Sequence, residues 1–267
     1  MDFGAFGPLS DAVLLLGLAA TRVAVAFLLV PLFTADLIPA LVRNAMFIAI
    51  ATLSIAVQPS SPAPLALDST LQWVSLFAKE AFIGGAIGLF FAGTMWAFEA
   101  AGQLIDNKVG TTQAQIVDPL SGHQTSLNGA LFARLASWVF MAGGGFMLMI
   151  GAVLESYALW PVRQPLPALA ESGVRLFESA FGRIMLMTVL IAGPAIVLLY
   201  LVEGILGLVN RFAQQLNVTF LAMSLKAMAA TWIIWVQLAS LVQLLQDDLL
   251  AQGGAVIGML RRLFAGS

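Results

Sequence analysis

Charge is what this sequence has least of. Across 267 residues only 10% are Asp, Glu, Lys or Arg, against 60% hydrophobic residues and a mean hydropathy of +0.96, where a soluble domain carries roughly 25% charge. An ordinary water-soluble globule is excluded. Twelve basic and fourteen acidic residues leave a net charge of -2, too sparse and too balanced to follow a phosphate backbone or hold an anionic lipid surface. Nucleic acid is not an expected partner. Cysteine is absent, which removes disulfides, thiolate metal ligands and a cysteine nucleophile. The single histidine, His123, cannot make a two-histidine metal site and reads as a solvated loop residue. No Gly-Lys pair occurs, so a Walker phosphate cradle cannot be drawn, and no Gly-x-Ser-x-Gly elbow supports a serine nucleophile. Neither enzymatic activity nor a cofactor is expected.

Apolar runs fill the chain instead. Charge-poor stretches at 12–33, 37–57, 81–98, 135–154, 184–202 and 227–246 predict six helices. At about 1.5 Å rise per residue, a run near 20 residues crosses a hydrocarbon core about 30 Å thick, and four or five of the six qualify. The second is the exception: its uninterrupted part, 45–57, lies between Asn44 and Gln58 and reaches about 20 Å, too short to span alone. The first is long enough but carries Arg22 at its middle, at a cost of roughly 2.5–3.5 kcal/mol in lipid. Arg22 therefore requires protein or water beside it. Lys79 and Glu80 open the third run, Glu203 closes the fifth and Lys226 opens the last; Asp247 and Asp248 read as a polar helix end rather than a cation site. With no basic n-region and no small-residue cleavage pattern, the first apolar run is expected to stay in the mature protein.

The connection 99–128 is long, polar and Gly-bearing, which reads as functional or unstructured. Within 155–183, prolines at 161, 165 and 167 precede Ala170, Val174, Phe177, Phe181 and Ile184, whose spacing predicts one apolar helix face. Prolines at 59, 62 and 64 mark a helix break. Small residues at Gly84, Gly85 and Gly88, at Gly143 to Gly145, and at Gly204 and Gly207 let helices approach closely, inside one subunit or between neighbours. Gly193 and Pro194 predict a kink. Arg22 and Glu203 keep a proton-coupled small-molecule transporter open as the alternative function, against which stand the missing internal repeat and the single Gly-Pro break within an apolar run, at Gly193-Pro194.

Four stretches carry a family resemblance: GQLIDNKVG from Gly102, VDPLSGHQTS from Val117, GGFMLMIGAVLESYALWPV from Gly144 and NRFAQQLNV from Asn210. In their order, and in their placement between the apolar runs, they resemble the FliR/SctT family of type III secretion export-gate membrane proteins. The SGHQTS and ESYALWP stretches look more like the injectisome branch than the flagellar one. The resemblance implies an all-α fold of hydrophobic helical hairpins in a helical, membrane-associated export-gate assembly. An SctR-like portion would occupy 1–183, with a plug loop at 106–119, fused to an SctS-like hairpin at 184–250 and followed by a C-terminal tail at 251–267.

The same resemblance implies a structural component of the protein-conducting channel across the bacterial inner membrane, within the basal body. Its implied partners are SctR-type and SctS-type subunits, SctU-type and SctV-type components and the inner rod or needle, with exported polypeptides as cargo. In the plug, Gly110 is the implied pivot, Gln113, Ile116 and Val117 the sealing side chains, and Asp118 with Pro119 the return. Arg22, Glu203, Arg211, Gln215, Asn217 and Lys226 are implied subunit contacts. This chain departs from its relatives at Gln214 and Ser224, where they commonly carry proline, and at Gln113 and Ile116, where flagellar relatives carry aromatic residues.

Overall fold

A computed structural model describes residues 7–34, 37–58, 70–110, 126–164, 171–212 and 218–264, and every regular element among them is helical. In chain order these are α1 (Gly7–Leu28), a 3-10 turn (Pro31–Phe33), α2 (Ala40–Val57), α3 (Thr70–Val109), α4 (Leu127–Ala142), α5 (Gly145–Leu159), α6 (Glu171–Phe212) and α7 (Val218–Phe264). The expected all-α class is the class found.

Backbone chemistry sets the helix ends. Gln58 precedes Pro59, whose ring keeps it out of the helical region; at φ -69° and ψ 141° it stops α2. Trp160 precedes Pro161 and stops α5 in the same way, at φ -132° and ψ 87°. Gly144 takes φ +80°, a left-handed conformation that glycine adopts without penalty, so the apolar run 135–154 is two helices rather than one.

Elsewhere helices run through polar residues that resemble ends. α3, α6 and α7 have 40, 42 and 47 residues, about 60–70 Å each and twice the thickness of a hydrocarbon core. Residues 99–109, expected to begin a polar connection, are the last turns of α3. α6 continues unbroken through Gly193 and Pro194, and Glu203 lies inside it. Asp247 and Asp248 lie within α7, not at its end.

Among the described residues, four helical stretches are long and apolar enough to cross a membrane, or five if α4 and α5 form one broken span. The number matches expectation; the membership does not. α2 qualifies, because it starts at Ala40, takes in Arg43 and Asn44 and so reaches 18 residues.

The chain divides by packing into two compact units: Met1–Gly93, Met141–Ala180 and Leu249–Ser267 form unit 1, and Thr94–Phe140 with Phe181–Asp248 form unit 2. In unit 1, α1 is central, with Leu18, Val23 and Phe27 fully buried. The Phe27 ring meets Phe33 edge-on at 5.1 Å and lies 5.9 Å from both Phe47 and Phe146. α1 and α3 touch through glycine: a Cβ at Gly84 would lie 2.3 Å from the Arg22 carbonyl oxygen, and one at Gly88 2.6 Å from that of Ala26. Both glycines therefore serve packing inside this chain.

Gly84→Ala is accordingly expected to force α1 off α3 and destabilise the protein by about 1–3 kcal/mol, read as a lowered thermal midpoint in detergent. Gly85→Ala is its control, since a Cβ there meets only Val25 Cγ1 at 3.8 Å and leaves the midpoint unchanged. Equal midpoints for the two variants would remove the glycine contact as a determinant of unit 1.

In unit 2 the second half of α3 supplies buried Met95, Phe98 and Ile105, and Phe98 meets Phe132 of α4 at 6.4 Å. α6 and α7 are less covered. Their membrane-length windows are 28% and 22% buried, against 67% for α3, and Gly204 and Gly207 face open space.

Candidate functional site

Residues 111–125 lie outside the described residues, and with them Gln113, Ile116, Val117, Asp118, Pro119 and His123. Both ends of that stretch are described. α3 stops where Gly110 takes φ +89° and its amide donates to the Asp106 carbonyl at 3.1 Å, the usual glycine stop of a helix. The expected pivot is thus a backbone position that a side chain would strain.

The Asp106 side chain is buried and receives the other end of the stretch. Its carboxylate accepts hydrogen bonds from the Ser126 hydroxyl, from the Asn128 amide at 2.9 Å and from Asn128 Nδ2 at 2.6 Å. Ser126 Oγ in turn accepts the Gly129 amide at 3.0 Å, capping α4. Gly102 allows the approach: a Cβ there would lie 2.4 Å from the Asn128 carbonyl carbon. One carboxylate therefore ties the end of α3 to the start of α4, closing the chain between them at a fixed neck.

The second constellation is a buried ion cluster in unit 1. Arg22, Lys79 and Glu80 are 0%, 1% and 0% exposed, enclosed by the chain's own helices. Arg22 donates from Nε to Glu80 Oε2 at 2.7 Å and from Nη2 to Oε1 at 3.0 Å, a two-point pairing. It also donates to Ser156 Oγ at 3.0 Å and to the Trp160 carbonyl at 2.9 Å, and its guanidinium sits 4.1 Å from the Tyr157 ring centroid. Tyr157 itself donates to the Ala19 carbonyl at 2.6 Å. Lys79 Nζ lies 2.8 Å from Glu80 Oε1. Arg22, expected at a subunit contact, has these partners in its own chain; they supply the protein surroundings that a mid-run arginine requires.

Further polar contacts lie among the described residues of unit 2. Lys226 of α7 pairs with Glu203 of α6 at 3.2 Å. Lys108 donates to Tyr200 Oη at 2.6 Å and lies 4.5 Å from that ring's centroid. Asp248 accepts from Thr94 Oγ1 at 2.5 Å and pairs with Arg183, so it is a buried internal anchor rather than a helix end. Of the remaining expected contacts, Arg211 is exposed in the last turn of α6, while Gln215 and Asn217 lie outside the described residues.

Sequence reasoning missed Asp106 and the joining of Arg22 to Glu80. A signal for the second exists: a cation and a carboxylate stranded in apolar helices are each costly until they meet.

Compared with known proteins, residues 13–251 match the family described as bacterial export proteins, family 1. The chain is 35% identical over 159 residues to Yop proteins translocation protein T of Yersinia pestis, covering 60% of this chain and 61% of that protein. It is 29% identical over 201 residues to secretion system apparatus protein SsaT of Salmonella typhimurium, covering 75% and 77%. To flagellar biosynthetic protein FliR of Bacillus subtilis it is 27% identical over 208 residues, covering 77% and 78%. The chain thus spans about three fifths of the length of the Yersinia relative.

Proposed function

The chain belongs to the bacterial export proteins, family 1, and from that premise we propose that it is a structural subunit of a type III secretion export gate. It would sit in the bacterial inner membrane within the basal body and form part of the protein-conducting channel. The family match over 13–251 carries this conclusion, supported by relatives named for translocation, secretion and flagellar biosynthesis. The higher identity to the Yersinia translocation protein than to the flagellar one favours the injectisome branch.

The proposed neighbours are SctR-type and SctS-type subunits, with SctU-type and SctV-type components and the inner rod or needle beyond them, and exported polypeptides are the cargo. α6 and α7 give a physical reason for neighbours: tied by Lys226 and Glu203, they leave most of their apolar length uncovered by their own chain. We assign 184–250 to the SctS-like hairpin, 1–183 to the SctR-like portion and 251–267 to the tail; the helices overrun both boundaries, with α6 starting at Glu171 and α7 reaching Phe264. Arg211, Gln215 and Asn217, with Glu203 and Lys226 nearby on the same hairpin, are assigned to subunit contacts.

A gate that passes an extended chain yet holds back ions when idle needs a movable obstruction. Residues 110–119 are proposed as that plug, rooted at the neck that Asp106 holds. Deleting 110–117 is expected to raise ion leakage in cells while the chain still co-purifies with SctR-type and SctS-type partners. Unchanged leakage from an intact complex rejects the plug. Failure of the unaltered chain to co-purify with those partners rejects the gate.

A further inference from the structure

The 160–164 turn that follows α5 is held by side chains rather than by regular structure. Within it, the Gln164 amide donates to the Pro161 carbonyl at 3.1 Å. Outside it, Gln58 Oε1 accepts the Val162 amide at 3.3 Å and Arg22 takes the Trp160 carbonyl. Lys79 then takes three carbonyls at once: Pro161 at 3.1 Å, Val162 at 2.8 Å and Gln164 at 2.8 Å. With Glu80 Oε1 at 2.8 Å, its nitrogen sits among four oxygens.

All four oxygens are acceptors, and an ammonium offers three donors and no lone pair, so the cage fits the charged nitrogen and no neutral one. Val162, Gln164 and Glu80 stand at 2.8 Å, the spacing of charge-assisted hydrogen bonds, and Pro161 a little farther at 3.1 Å. The carbonyls of 161, 162 and 164 converge only because the chain turns there, and without a cation between them their dipoles oppose one another. The same face of α3 holds the next piece of chain, since Phe82 and Phe90 meet Phe177 at 6.0 and 6.5 Å.

We infer that Lys79 is a tethered cation, working as the latch that folds the 160–164 turn onto α3 and so fixes where the chain departs toward α6. The role resides in the ammonium rather than in the four-carbon stem. Removing the charge releases the turn while α5 stays packed, and a free alkylammonium restores what Lys79→Ala removes. Lys79→Met leaves Arg22 and Glu80 as a balanced pair, so the core of the cluster survives the test.

The absence of cysteine makes single-cysteine reporters clean. Val162 and Val153 are both 0% exposed, one in the turn and one in α5. In the full-length chain, Val162→Cys is expected to react with a maleimide about ten-fold faster when combined with Lys79→Met, whereas Val153→Cys stays protected in both backgrounds. Equal protection of position 162 with and without Lys79 overturns the latch, as does simultaneous exposure of both reporters, which would make Lys79 a support of α5 in general. Should Lys79→Met not fold, Lys79→Ala with Val162→Cys is measured with propylammonium and, separately, with tetramethylammonium. Protection restored by the first alone is the expected result; no difference between them overturns the assignment.

Discussion

Glu80→Leu is expected to abolish accumulation of folded protein. The substitution leaves Arg22 and Lys79, two cations that are 0% and 1% exposed, with no carboxylate between them. Breaking a buried pair by removing one partner costs about 3–5 kcal/mol, a large share of the 5–15 kcal/mol by which a domain is typically stable. The measurement is the yield of monodisperse protein in detergent and its thermal midpoint. Combining Glu80→Leu with Arg22→Met is expected to recover part of the loss, because the uncompensated guanidinium is then gone while Lys79 keeps its three carbonyls. A single Glu80→Leu variant as stable as the unaltered chain would mean that the cluster does not hold unit 1 together.

That cluster marks the limit of what is legible in a sequence of this kind. Helix class and the number of membrane-length segments are legible, because apolarity over 18 or more residues is a local property. Helix ends are legible where proline follows, as at Gln58 and Trp160. They are not legible at Gly144, where three consecutive glycines suit close packing as well as a break and only the φ of +80° decides between them. Nor are they legible over 99–109: polar residues in a helix that outruns the bilayer look like a loop to any reading based on apolar runs. Pairings are hidden more deeply. Arg22 and Glu80 stand 58 positions apart, Asp106 and Ser126 twenty, and which charge meets which depends on helix packing that no local spacing encodes. Arg22 could be recognised as needing a partner, but not as finding it in its own chain.

Asp106→Ala is expected to have the largest effect on the proposed gate of any single substitution that leaves the helices intact. It removes the one acceptor shared by the Ser126 hydroxyl, the Asn128 amide and Asn128 Nδ2, and hydrogen bonds to a charged group are worth about 1.5–3 kcal/mol each. Partial exposure of the neck lets water replace some of them, so the net loss is of the order of one such bond, raising the open population of the neck by about ten- to a hundred-fold. The α3 core is untouched, since Phe98 and Ile105 keep their burial, and assembly with partner subunits is expected to survive. If residues 110–119 are the plug, a loosened root seats it poorly, and ion leakage in cells should approach that of the 110–117 deletion. Asp106→Asn keeps one acceptor oxygen but turns an amide toward donors, placing its leakage between the two. Leakage at the unaltered level from an intact Asp106→Ala complex would separate the neck from the seal: the carboxylate would then shape the start of α4 and nothing more.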